Sequence, residues 1–213
     1  MTPAIELPEP CLVVLVGAAG SGKSTFAERH FHPDEVLASD AFRARLGRNA
    51  ADQAVNRRVF EALHGAVERR LAAGRTTVVD ATNVRADARR AVVARAAAAG
   101  VPSIAVVLDL PLAECLAGDR ARADRHVPPA ILEAQWRRLR AALDGAAPTR
   151  GAAVVRAATT APRGTWHVAP FAGEGFAAVH RLASRAAVDA VTVRRGAGRW
   201  PTLGGAPPPG PST

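Results

Sequence analysis

Short runs of consecutive apolar residues alternate along this chain with longer stretches whose apolar positions recur every three or four residues. Cys11–Val16, Glu35–Ala38, Thr76–Asp80 and Ser103–Asp109 are the short runs, the pattern of strands covered on both faces. Between them, Ser24 onward reads as a first helix, and Ala41–Leu46 opens a second. Val55, Val59, Leu63, Val67 and Leu71 then form a slowly drifting apolar stripe that Gly74 stops, and Asp87–Ala99 ends at Gly100. Pro128-Pro129 opens a helix carrying Leu132, Trp136, Leu139 and Leu143 on one side and Arg137, Arg138 and Arg140 on the other. Gly175–Leu182 reads as a fifth strand, and Ala186–Val193 adds a last helix or strand.

Strand and helix in alternation predict an α/β fold: a five-stranded, mostly parallel sheet sandwiched by helices. The periodicity fails over 145–173, rich in Ala, Thr, Pro and Gly, which reads as an inserted loop or disordered linker. The expected organisation is a domain body over 11–144, that insert, a returning strand and closing element over 174–195, and a disordered tail over 196–213.

With 213 residues, 48% hydrophobic and 22% charged, one main core is expected. No apolar run approaches the ~20 residues that cross a bilayer. Met1–Pro10 has neither basic residues nor a long apolar stretch, so no membrane role and a cytoplasmic location are expected. Two cysteines in apolar segments exclude a disulfide framework. The net charge of +9 is weak support for a polyanionic partner, because residues 1–144 hold 20 basic against 17 acidic side chains. The excess lies mostly beyond 144, where 8 basic residues face 2 acidic ones.

The candidate chemistry starts at Gly17, Ala18, Ala19, Gly20, Ser21, Gly22, Lys23 and Ser24, which match the phosphate loop G-x-x-x-x-G-K-[ST] between a strand and a helix. Lys23 is the only lysine among 28 basic residues, as expected where a compact ammonium is required and a guanidinium fork would not fit. Backbone N–H groups up to Thr25 would face phosphate oxygens, Lys23 would reach the outer phosphates, and Ser24 would offer a hydroxyl to Mg²⁺. The fold expected is therefore that of a P-loop NTPase.

Asp40, Asp80 and Asp109 all fall at or just past strand ends, on the same sheet edge as Ser24. Asp40 is placed to take a proton from an alcohol, with Arg43 one turn on to hold an acceptor phosphate; the alternative is a helix cap beside a solvated arginine. Asp80 is a candidate Mg²⁺ carboxylate and Asn83 a phosphate donor, or either caps the next helix. Arg120, Arg122 and Arg125 are concentrated before the proline-opened helix, as in an arginine-bearing lid or a solvated helix face. His30, His32, His64 and His126 have no partners at ligand spacing and read as structural, and Trp136 reads as packing.

Gly17–Ser24, Ala38–Arg43, Asp52-Gln53, Val78–Asn83 and Arg122–Arg125, in this order, make residues 11 to about 144 resemble the kinase module of bacterial polynucleotide kinase-phosphatases. The resemblance implies ATP and Mg²⁺ as cofactors and transfer of the γ-phosphate to a 5′-hydroxyl end of DNA or RNA. It also implies Asp40 as general base, Arg43 on the acceptor phosphate, and lid arginines on the donor. The family lid pairs two arginines four residues apart, whereas Gly118 stands four residues before Arg122 here. Two rivals share the motifs: a P-loop kinase for a small alcohol, sugar or nucleoside, and a nucleotide-binding regulatory module without transfer activity.

Overall fold

A computed structural model of the chain describes residues 4–46, 53–123, 126–144, 171 and 173–196. The 145–173 insert, apart from its last few residues, the tail beyond Gly196, Asp52 and Arg125 lie outside the described residues.

In chain order the elements are β1 Ala4–Pro8, β2 Leu12–Val16, α1 Lys23–His30, β3 Val36–Ala38, α2 Ser39–Leu46, α3 Gln53–Ala72, β4 Thr77–Asp80 and α4 Ala86–Ala98. They continue with β5 Ser103–Leu108, α5 Leu112–Arg120, α6 Pro129–Asp144, β6 Ala178–Leu182, α7 Arg185–Ala190 and β7 Thr192–Gly196. Five strands form one parallel sheet in the order β3-β4-β2-β5-β6. The segment 186–193, left open between helix and strand, is divided between α7 and β7. β7 pairs in parallel with β1, a strand that the sequence pattern did not announce, in a separate two-stranded sheet.

The central strand shows why the sheet is sandwiched. All five residues of β2 are buried, and their alternation sends them to opposite faces. Val13 and Leu15 pack with Phe26 and Ala27 of α1, Cys115 of α5, Val188 of α7 and Ile5 and Leu7 of β1. Leu12, Val14 and Val16 meet Leu63, Val67 and Leu71 of α3 and Val92 and Ala96 of α4. α6 serves both layers, with Leu132 in the first and Leu139 and Leu143 in the second. Each fully buried Leu or Val contributes about 1.5–3 kcal/mol over leaving it exposed, so interrupting either stripe would open the sheet to water.

Parallel strands end together, so the turns after β2, β3, β4, β5 and β6 lie along one carboxyl edge. Asp109, at the end of β5, is buried there between two arginines: Arg140 Nη1 of α6 donates to its Oδ2 at 2.9 Å and Arg181 Nε of β6 at 2.8 Å. That carboxylate ties α6 to the edge strand. Among the described residues no helix is long and apolar enough to cross a membrane.

Candidate active site

The strand-to-helix turn after β2 is the phosphate loop. Gly22 precedes α1 with φ 90°, a left-handed conformation that a side chain resists, and Lys23 is the first helical residue. Lys23 is buried; its Nζ donates to the Ala18 carbonyl at 2.8 Å and reaches Ser21 Oγ at 3.4 Å. Burial lowers its pKa to about 8, with Asp80 and Asp40 opposing the shift and Arg122 adding to it.

Ser24 donates its hydroxyl proton to Asp80 Oδ2 at 2.7 Å, joining α1 to the end of β4. Serine oxygen and carboxylate therefore already stand together beside the phosphate loop. This donor set fits Mg²⁺, which takes one or two protein oxygens and completes its shell with phosphates and water. Among the described residues no group of three or more His, Cys, Asp or Glu side chains would hold a metal alone. Asn83 takes the turn role: its φ is 48°, and its side-chain amide donates to the Leu15 carbonyl at 2.8 Å, binding the β4 turn to β2.

Asp40 and Arg43 project from α2 into the same cleft, the arginine Nε 4.0 Å from a carboxylate oxygen. Arg43 also donates to Asn56 of α3, and its side chain is only 16% exposed, which fixes it as part of the wall. The cleft has a volume of about 1400 Å³ and is bordered by Lys23, Ser24, Asp40, Arg43, Asp80 and Arg122 among others. It exceeds the ~300–1,000 Å³ usual for a single small ligand.

The predicted arginine cluster divides. Arg122 lines the cleft, its Nη1 4.0 Å from buried Asp119. Arg120 is exposed at the end of α5 and does not border the cleft. Of the loop residues, Ala19, Gly20, Gly22, Lys23, Ser24 and Thr25 face the cleft, while Gly17, Ala18 and Ser21 do not border it. Asp119 anchors this region by accepting the Val127 N–H at 3.0 Å, across the bend between α5 and α6.

Three contributors were not foreseen. Gln135 of α6 accepts the Ala19 N–H at 3.0 Å, bracing the phosphate loop from a helix 116 residues away. Gly118 lets α5 touch the loop: a Cβ there would lie 2.2 Å from the Gly20 carbonyl oxygen. Arg185 reaches the loop from beyond β6. Only the last carries a charge that the sequence could have flagged, and nothing in its spacing separates it from other arginines. Trp136 packs against the core and donates Nε1–H to the Leu110 carbonyl at 3.0 Å, as a packing residue does.

A parallel sheet with a phosphate loop at its carboxyl edge and a serine–aspartate pair beside it defines a P-loop domain of the kinase fold. The chain belongs to the AAA domain family, whose model matches residues 12–146. A chain in the structure of the Pnkp1/Rnl/Hen1 RNA repair complex is similar, with a TM-score of 0.56 and 25% identity, over 63% of this chain and 45% of that one. This chain thus spans under half the length of that relative. The Mycobacterium tuberculosis APS kinase CysC is 26% identical over 54% of this chain and 71% of its own, at a TM-score of 0.43. A gluconokinase from Sinorhizobium meliloti is 19% identical over 69% and 81%, at 0.42. No curated protein matches the sequence significantly.

Proposed function

We propose that this protein is an ATP- and Mg²⁺-dependent kinase that transfers the γ-phosphoryl group to a 5′-hydroxyl end of a polynucleotide. The observation that carries the reading is that two kinds of group border one cleft. Lys23 and the phosphate loop border it from the start of α1, and the Asp40–Arg43 pair from α2. The likeness to a chain of an RNA repair complex supports it.

The loop amides and Lys23 would hold the β- and γ-phosphates, and the Asp40 carboxylate would accept the proton of the attacking hydroxyl. The new bond joins that oxygen to the γ-phosphorus as the bond to the β-phosphate oxygen breaks, releasing ADP. Arg122 would offset the charge on the moving group. Ser24 and Asp80 would hold Mg²⁺, which supplies charge neutralisation on the phosphate oxygens. Arg43 favours a polynucleotide acceptor, since a 5′-hydroxyl terminal nucleotide carries a phosphodiester on the 3′ oxygen of the same sugar and a simple alcohol carries none.

Labelled ATP offered with 5′-hydroxyl oligonucleotides, nucleosides and sugars tests the reading. Label is expected on the oligonucleotide, and Asp40→Asn is expected to lose transfer by about 10²–10⁴-fold while retaining ATP binding. Label on a small alcohol alone would overturn the acceptor, and ATP binding without turnover would overturn the transfer.

A further inference from the structure

We propose that Arg185 is a phosphate-binding residue of the cleft, its guanidinium supplied from the segment after β6. The proposal rests on the reading above that the loop binds a nucleotide.

Arg185 begins α7 three residues past β6, on the carboxyl edge, and Ser184 fixes that start by accepting the Ala187 N–H at 3.1 Å. Its side chain lies directly against the phosphate loop: a Cβ built on Gly22 would stand 2.8 Å from Nη1 and 3.9 Å from Cζ. Gly22 lacks that carbon, so the guanidinium occupies the space. Other arginines of this part of the chain are neutralised, Arg181 by Asp109, Arg194 by Glu6, and Arg195 by Glu9 and Glu35. Among the described residues no carboxylate pairs with Arg185, although it borders the cleft together with Lys23 and Arg122. Lys23 has Asp80 as its electrostatic counterweight, whereas Arg185 stands against a loop shaped for phosphate with its charge uncompensated by a carboxylate among the described residues.

The other side of the loop explains why a cation from here is useful. Gly118 is pressed against the Gly20 carbonyl and has no room for a side chain, and Arg120 does not border the cleft. Arg122 is thus the cleft-lining arginine among the described residues from 118 to 123.

Binding of a fluorescent ADP analogue, and its displacement by inorganic tripolyphosphate, is measured for the wild type, Arg185→Ala and Arg185→Lys. Arg185→Ala is expected to weaken both ADP and tripolyphosphate by about tenfold to a hundredfold, the range for a lost charged hydrogen-bond pair. Arg185→Lys is expected to recover part of that loss. The melting temperature of the free protein should not fall, since the guanidinium makes no internal hydrogen bond and carries uncompensated charge. Unchanged tripolyphosphate affinity in Arg185→Ala would overturn the assignment, whether ADP binding is spared or weakened through its base. Absence of ADP binding by the wild type would instead refute the nucleotide-binding reading itself.

Discussion

Replacing Glu174 by alanine should destabilise the protein severely although the residue lies outside the proposed chemistry. Glu174 accepts two hydrogen bonds from Arg89 of α4, Nε to Oε2 and Nη2 to Oε1, both at 2.6 Å. The Arg89 side chain is 1% exposed and that of Glu174 6%. The guanidinium also donates Nη1–H to the Asn83 carbonyl at 3.0 Å, and its Cζ lies 3.8 Å from the centre of the Phe171 ring. Glu174→Ala therefore strands a buried cation with one carbonyl and a ring face as its remaining partners. Removing one member of a buried pair costs about 3–5 kcal/mol. A chain of this size loses about 2–4 °C of melting temperature per kcal/mol, so a fall of about 6–20 °C is expected. The control is Glu68→Ala, which breaks the more exposed Arg95–Glu68 pair at 2.9 Å and should cost no more than about 1 kcal/mol. Urea and thermal unfolding would measure both. The double variant Arg89→Met/Glu174→Leu removes both charges together and should be more stable than Glu174→Ala. Equal losses in Glu174→Ala and Glu68→Ala, or a double variant weaker than the single, would refute the reasoning.

Lys23 makes a prediction with a definite sign. Its pKa of about 8 lies below the ordinary 10.5, so between those values the unfolded chain binds more protons than the folded one. The free protein should therefore gain stability from this residue as pH rises from about 8 to 10.5. The difference in urea midpoint between wild type and Lys23→Met reads the effect with Cys11, which burial raises to about 12, common to both proteins, and carrying Cys115→Ala in both removes the thiol that Lys23 acts on. A difference that does not change with pH would contradict the lowered value. Gly118→Ala should cost about 1–3 kcal/mol and raise the ADP dissociation constant, because its Cβ would force α5 away from the Gly20 carbonyl. Melting and ADP titration check it, and wild-type values in both would remove the proposed close approach.

The sheet and the phosphate loop were legible because each is announced by neighbours in sequence. Leu12–Val16 is apolar at every position, as suits a strand covered on both faces, and Gly17–Ser24 carries a spacing that few other turns share. Asp80 and Asp109 looked equivalent, both acidic and both closing a buried strand. Asp80 receives the Ser24 hydroxyl, whereas Asp109 is clasped by Arg140 and Arg181. Which arginines reach a carboxylate depends on which strands and helices are adjacent in space, and periodicity does not report that.

β1 escaped notice for a related reason. Ile5 and Leu7 alternate around Glu6 for too short a stretch, close to Pro8 and Pro10, and the strand acquires meaning only beside Val193. By itself the sequence determined the five strands of the main sheet, the faces they bury and the phosphate loop, since these follow from local pattern and backbone chemistry. The tertiary structure alone decided that Gln135, Gly118 and Arg185 meet the loop and that Arg89 is sealed by Glu174. These contacts join residues that are far apart in the chain, and their partners are selected by the order of strands and the packing of helices on the sheet.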